Sequence, residues 1–196
     1  MFIDTDLLRA ALCCVADETE VRSYLRGVRI TPTHIQATNG KTAVSMEHGA
    51  DTDINGVFIV HGDIPENADG TEIGTFDGEL FAIHYESVSD DEEERVGCNR
   101  LEIVECRYPD FDKLLPAEPE PCDEPPIFAS HLLALPCRMF GISTPVKLKP
   151  YGKTAPCQVI VDPMTAMVYG NPFLIIMPMH ENVFDLCEGV MNEKGI

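Results

Sequence analysis

The sequence predicts an α+β protein made of antiparallel sheets with few helices. Three observations carry this. Helical periodicity is confined to two short stretches, one near the N-terminus and one after residue 128. Short runs rich in β-branched residues fill most of the remainder. Two gaps between such runs hold the dipeptides Asn39-Gly40 and Asp77-Gly78, whose ready access to positive φ favours tight hairpin turns.

The elements follow in order. Asp4 or Thr5 caps a first helix, in which Leu7, Leu8, Ala11, Leu12 and Val15 make one apolar stripe. Asp6, Arg9, Ala10 and Cys13 lie on its other side. Gly27–Ile30 is a short strand, and Pro32-Thr33 makes a turn into His34–Thr38. Asn39-Gly40 turns that strand back as Thr42–Met46. Val57–Val60 is the next strand, and Pro65 to Gly70 reads as a polar loop. Glu72–Phe76 and Leu80–Tyr85 flank the second hairpin dipeptide. Asp90–Glu94, five consecutive acids, reads as a solvated loop tip, and Leu101–Cys106 as a strand. Residues 116–126 hold five prolines and form a stiff, acidic linker. Ala129–Phe140 is a second helix, with Ser130 as its cap and Pro136 as its kink or end. Val146–Lys149, Cys157–Val161, Ala166–Tyr169 and Leu174–Met177 are expected as strands, and residues 181–196 as a tail.

Charge limits the function. Fourteen Lys+Arg against 33 Asp+Glu leave a net charge of −19. Such a surface repels phosphate over most of its area, which excludes wholesale nucleic-acid binding but not a local basic stripe. No apolar run approaches the ~20 residues of a membrane span, and Met-Phe-Ile-Asp has no basic leader character. The chain reads as soluble and cytoplasmic. The eight cysteines are dispersed, with no Cys-x-x-Cys and no histidine at zinc-like spacing. They are expected as free thiols in apolar sites. Adjacent Cys13 and Cys14 on a helix point about 100° apart, a poor redox or metal pair.

Catalytic signatures are sparse. There is no Gly-x-Ser-x-Gly, no phosphate-binding Walker loop and no His-Glu-x-x-His. His61-Gly62-Asp63, after a strand, is the one acid–base candidate, for a hydrolase; a surface turn is the plainer reading. The expectation is a protein that is not an enzyme and holds no cofactor or metal.

Four segments together carry a resemblance. They are Val21-Arg22-Ser23-Tyr24-Leu25-Arg26-Gly27-Val28, the hairpin Ala37–Val44, Cys106-Arg107-Tyr108-Pro109-Asp110-Phe111 with Leu114-Leu115-Pro116, and Ile175-Ile176-Met177-Pro178-Met179. In order and placement they resemble the bacterial DNA sliding clamp family, the beta subunit of DNA polymerase III. The resemblance implies a shortened member. Residues 1–116 look like the family's middle domain without its second helix, 117–125 like the linker, and 126–180 like half of the last domain. Residues 181–196 have no counterpart in the family.

The family's groove for partner peptides maps onto Leu25, Thr38, Gly40, Lys41, Ala43, Pro109, Leu114, Ile176, Met177, Pro178 and Met179. Asn39 stands where the family has an acid, and Ala43 where it has a large side chain, so that subsite is expected to be wider or weaker here. The implied partners are a DNA polymerase or another clamp-binding protein. Double-stranded DNA bound without sequence preference is also implied, through Arg9, Arg22, Arg26, Arg29, His131 and Arg138, a thin set of cations. Ring closure would need a homo-oligomer, a dimer or a trimer. The rival implication is an adaptor or decoy that binds partner peptides without encircling DNA. The tail carries Val183, Phe184, Leu186 and Val190, either as a packed terminal helix or as an occupant of its own or a neighbour's groove.

Overall fold

The computed structural model describes residues 1–89, 92–120 and 124–194. The chain opens with β1 (Phe2–Asp4) and α1 (Thr5–Leu12), then β2 (Val28–Ile30), β3 (His34–Thr38), β4 (Thr42–Glu47) and β5 (Gly56–His61). Next come β6 (Gly70–Phe76), β7 (Glu79–Ser89) and β8 (Glu92–Val104). After the proline-rich segment come α2 (Ser130–Leu133), α3 (Leu135–Phe140), β9 (Val146–Pro150), β10 (Cys157–Val161), α4 (Pro163–Val168), β11 (Phe173–Ile176) and α5 (Val183–Lys194). All described pairings are antiparallel, in one continuous order β1-β6-β7-β8-β5-β2-β3-β4-β11-β10-β9. The α+β antiparallel class stands.

Alternation along the strands separates two apolar layers. On one face α1, α2 and α3 cover Val28, Ile30, Ile35, Ala37, Val44, Met46, Leu174 and Ile176. On the other face lies a smaller cluster of Ala43, Phe111 and Ile175, with Tyr108, Leu114, Leu115 and Phe173 against it. The β4–β11 ladder, from Thr42↔Ile176 to Ser45↔Phe173, joins the N-terminal strands to the C-terminal ones.

Local chemistry accounts for the element ends. The Asp4 side chain accepts from the Asp6 N–H and caps α1. Asn39 Oδ1 accepts from the Lys41 and Thr42 amides, and Gly40 takes φ +83, which closes the β3–β4 hairpin. Between β5 and β6 no helix forms. The Arg9 guanidinium instead crosses from α1 and donates to the carbonyls of Pro65, Glu66 and Ala68, holding that loop.

Some expectations fail for identifiable reasons. Ala166–Tyr169 is not a strand; it lies in and just after α4. Asp162 accepts from the Met164 and Thr165 amides and Pro163 supplies the fixed φ of a first helical turn. The second helix is broken into α2 and α3 near Pro136, as expected, but its N-cap is Ala129 with no side-chain bond, not Ser130. Glu92–Glu94 belong to β8 rather than to a loop, since the β7–β8 ladder continues through Glu86↔Glu94, Ser87↔Glu93 and Ser89↔Glu92. Asp90, Asp91 and Cys122 lie outside the described residues. Cys14 and Cys157 fill apolar sites, whereas Cys98, Cys106, Cys137 and Cys187 are exposed.

One buried polar chain ties α1 to β6, β7, β8 and the end of β5. Thr5 Oγ1 lies 2.8 Å from Thr71 Oγ1, which lies 2.9 Å from His84 Nδ1. His84 Nε2 lies 2.6 Å from Asn99 Oδ1, and Asn99 Nδ2 donates to the His61 carbonyl at 2.7 Å. With the Asn99 amide donating to that carbonyl, its Oδ1 must accept, so the His84 proton is assigned to Nε2. Burial pushes the His84 pKa below the usual 6.5, outweighing the Asn99 bond that raises it. The folded protein therefore binds fewer protons here than the unfolded chain, and stability rises with pH across this window. The expected result is a urea midpoint that falls progressively as pH drops below about 6.5. A His84 ring that titrates at or above its ordinary pKa, followed by NMR, would contradict this.

Candidate functional site

Four separated segments meet at the end of the β3–β4 hairpin. The 3-10 turn Ser23–Leu25 brings Leu25 under it: a methyl placed on Gly40 would lie 3.9 Å from Leu25 Cδ1 and from Arg22 Nη2. Thr38 Oγ1 donates to the Thr42 carbonyl at 2.7 Å and accepts from the Gly40 amide. Beyond β11 the Met177 amide donates to the Lys41 carbonyl at 2.8 Å, and the Met179 amide to the Ile127 carbonyl at 2.7 Å. Pro178 sits between these two anchors.

The third segment packs on the face opposite the helices. Tyr108 stacks on Phe111 at 6.0 Å and meets Tyr24 edge-on at 6.4 Å. Burial raises the Tyr108 hydroxyl pKa well above the ordinary tyrosine range. Half-buried Pro109 follows it, and Asp110 caps the 3-10 turn Phe111–Lys113 that delivers Leu114 beside Ala43. Phe111, Leu115 and Phe173 wall a concavity of about 680 Å³ that also borders Gln36 and Ser45.

The structure thus brings Leu25, Thr38, Gly40, Lys41, Ala43, Leu114 and Met177 into one neighbourhood, with Pro109, Pro178 and Met179 on its flanks. Ile176 is the exception. It pairs with Thr42 and packs in the core on the helix face, away from Ala43 and Leu114, whereas Leu25, Thr38 and Ala43 are themselves buried and lie beneath the site rather than open to solvent. Ile175, opposite Ala43, is on the groove face in its place. Sequence reasoning also missed Tyr108, Phe111, Leu115 and Phe173 as groove-side residues. The residues Phe173-Leu174-Ile175-Ile176 are uniformly apolar, so no alternation showed which way each points.

The six candidate DNA-facing cations do not form one surface. Arg9 spends its donors on Asp6 and on the loop carbonyls. Arg22 binds Glu20 through both Nε and Nη2, at 2.9 and 3.0 Å, which holds the Glu20 carboxyl down at about 2. Arg29 lies on the face away from the helices, 5.6 Å from the Tyr108 ring centroid. Val28 and Ile30 fill the helix side of that strand, so alternation excludes Arg29 from a helix-face lining. Arg26 is half-buried behind the 3-10 turn. Arg22, His131 and Arg138 do share a cleft of about 730 Å³ between the end of α1 and α2–α3, with Lys41 at its mouth. Cys13 lines the same cleft; burial raises its thiol pKa and Arg138 partly offsets this.

His61 and Asp63 make no acid–base pair. His61 Nε2 contacts Glu102 Oε2 at 2.9 Å on an exposed surface, and neither residue lines the concavities above. Among the described residues no group of His, Cys, Asp and Glu could hold a metal ion, and no helix is long and apolar enough to cross a membrane.

This architecture is a sliding-clamp fold. The DNA polymerase sliding clamp from Bacillus subtilis superposes with a TM-score of 0.59 at 10% identity, over 92% of this chain and 64% of that one. A putative DNA polymerase III beta subunit from Eubacterium rectale gives 0.60 at 11% identity, over 93% and 66%. The chain therefore spans about two thirds of the length of the clamps it matches. No family model and no curated protein matches the sequence.

Proposed function

We propose that this chain is a sliding-clamp-type protein that recruits a DNA polymerase or a repair factor by binding a short peptide of it in the groove beside the β3–β4 hairpin. It is a binding protein, not a catalyst, and works by holding a partner. What supports the reading is that the segments holding Leu25, Gly40, Leu114 and Met177, spread over more than half the chain, lie near one hairpin, in a fold shared with the two clamps above. Such a site suits a peptide: apolar walls supply affinity, and a few backbone and hydroxyl groups fix orientation. Met177, half-buried and unbranched, repacks around different side chains. Lys41, exposed at the hairpin tip, complements an acidic group on the peptide.

The test is a fluorescence-anisotropy titration with a peptide carrying a Leu-Phe clamp-binding motif. Met177→Ala with Met179→Ala is expected to weaken binding by roughly 1–3 kcal/mol, at unchanged thermal stability. Equal affinity in the double variant would remove the groove from the account.

Encircling DNA as an oligomer is the second part of the proposal, and here one observation favours the rival reading. Arg9 and Arg22 are engaged internally and Arg29 faces away, in a chain of net charge −19. An adaptor or decoy that competes for partner peptides without touching DNA fits that lining better. Retention on circular but not linear DNA, with a loader present, separates the two: a ring is retained, and an adaptor is not.

A further inference from the structure

The outer face of β6, β7 and β8 carries a third apolar surface. Ile83 on β7 is 7% exposed yet lies outside both apolar layers described above. Alternation places Phe81 and Tyr85 on the same face. The β7–β8 ladder sets Arg100, Cys98 and Arg95 opposite Phe81, Ile83 and Tyr85. On the other side β6 offers glycines, Gly74 opposite Phe81 and Gly70 opposite Tyr85. The Phe76 ring leans over Gly74 and the Phe2 ring over Gly70, and both rings stay exposed, at 41% and 49%. Phe76, Phe81, Ile83, Cys98 and Arg95 thereby line a concavity of about 340 Å³. Its floor is apolar, one wall is aromatic and the other is basic.

The charges select the ligand. Arg95 and Arg100 are exposed, and among the described residues neither makes a hydrogen bond or an ion pair, although acids outnumber Lys+Arg by 33 to 14 in the chain. Glu72, on the β6 side of Ile83, is already engaged by the Tyr85 hydroxyl at 3.0 Å. Glu93 and Glu102 continue the same face two residues beyond Arg95 and Arg100. A long polyanion such as single-stranded nucleic acid would run its phosphates into those two acids. A short ligand with one or two carboxylates would end before reaching them.

We propose that this face binds a short acidic peptide of a partner protein, with an aromatic or branched apolar side chain in the concavity and a neighbouring carboxylate on Arg95 or Arg100. A guanidinium grips a carboxylate through two parallel hydrogen bonds, which fixes the peptide while the rings bury its apolar side chain. The arginines flank the concavity along β8, so an extended peptide lying along the strand meets one of them on either side of its anchor. The site is separate from the β3–β4 groove: the two share no residue, and β5 and β2 stand between β8 and that hairpin in the sheet.

The probe is acetyl-Asp-Asp-Phe-Leu-amide, titrated into the isotope-labelled full chain by NMR, with acetyl-Asn-Asn-Phe-Leu-amide as its uncharged match. Shifts are expected at the amides of Gly74, Ile83 and Cys98. Followed at those amides in low salt, the acidic peptide is expected to bind at least about tenfold tighter than its match. Arg95→Gln with Arg100→Gln changes two exposed positions and leaves the fold intact, and it should bring the two peptides within about twofold of each other. The same variant keeps its affinity for the clamp-binding peptide, so this proposal and the groove reading fail separately. Amides on this face that do not move, two peptides that bind the unaltered chain alike, or a preference that survives the double substitution would each overturn the proposal. Oligothymidylate that shifts these amides where the acidic peptide does not would overturn it too, and assign the face to single-stranded DNA.

Discussion

Gly170→Ala is expected to lower the unfolding free energy by about 3 kcal/mol or more, measured as the shift in a urea transition. Gly170 ends α4 and turns the chain into β11 with φ +60, and Asn171 follows at φ +51. Its carbonyl accepts from the Glu47 amide at 2.7 Å, so the corner is pinned to the end of β4. A methyl at this position would fall on the Glu47 carbonyl oxygen, with the Glu47 carbonyl carbon 2.7 Å and its amide nitrogen 2.9 Å away. Those atoms are backbone, held in the β3–β4–β11 ladders, and cannot swing aside as a flexible side chain would. Relief requires the corner to lift, and the β4–β11 seam with it. Gly49→Ala is the control. Gly49 also has positive φ, at +67, but a methyl there meets nothing within 4 Å. It should cost only the conformational part, about 1 kcal/mol. Equal losses at the two positions would show that the Glu47 contact contributes nothing.

Where local chemistry decides an element, the sequence was readable. Asp4 before α1 and Asn39-Gly40 in the hairpin each carry their own hydrogen bonds, so neither depends on the rest of the fold. The α4 helix was missed although its signal was local too. Asp162-Pro163 is a helix start as well as a turn former, and the apolar residues after it outweighed that cap. The length of β7 and β8 was not readable, because a run of acids shows its charge but not that a backbone ladder runs through it. Within the site, the motifs found the hairpin and Met177 but not the direction of each side chain. Val28-Arg29-Ile30 alternates, so the outward placement of Arg29 was available from sequence. For Ile175 and Ile176 it was not, because both faces of β11 carry apolar cover and only the packing of Phe111 and Leu114 distinguishes them. Arg9 looked like a surface cation because nothing in the local pattern shows a guanidinium reaching carbonyls more than fifty residues away.

Tyr108→Ala is expected to cost about 2–4 kcal/mol of stability and, on the groove reading, to weaken the partner peptide at least about tenfold. Tyr108 packs against the Ala43, Phe111 and Ile175 cluster and meets Tyr24 as well. Its ring lies parallel to Phe111, with 8° between the planes, perpendicular to Tyr24, and beneath the Arg29 guanidinium. Removing it leaves a void that Phe111 cannot fill while the Asp110 cap fixes the Phe111–Lys113 turn. Leu114 loses its backing and moves with that turn, and the support for Ala43 and Ile175 is lost with it. Tyr108→Phe keeps the ring and both aromatic contacts, so it should bind peptide within about threefold of the unaltered protein. Arg29→Met separates the cation from the ring. It should cost only about 0.5–1 kcal/mol and leave peptide binding alone, because Arg29 lies over the ring and outside the wall. If Tyr108→Ala unfolds earlier but holds the peptide as tightly as before, then the aromatic stack supports only the fold, and the peptide is gripped by the hairpin and Met177 without it.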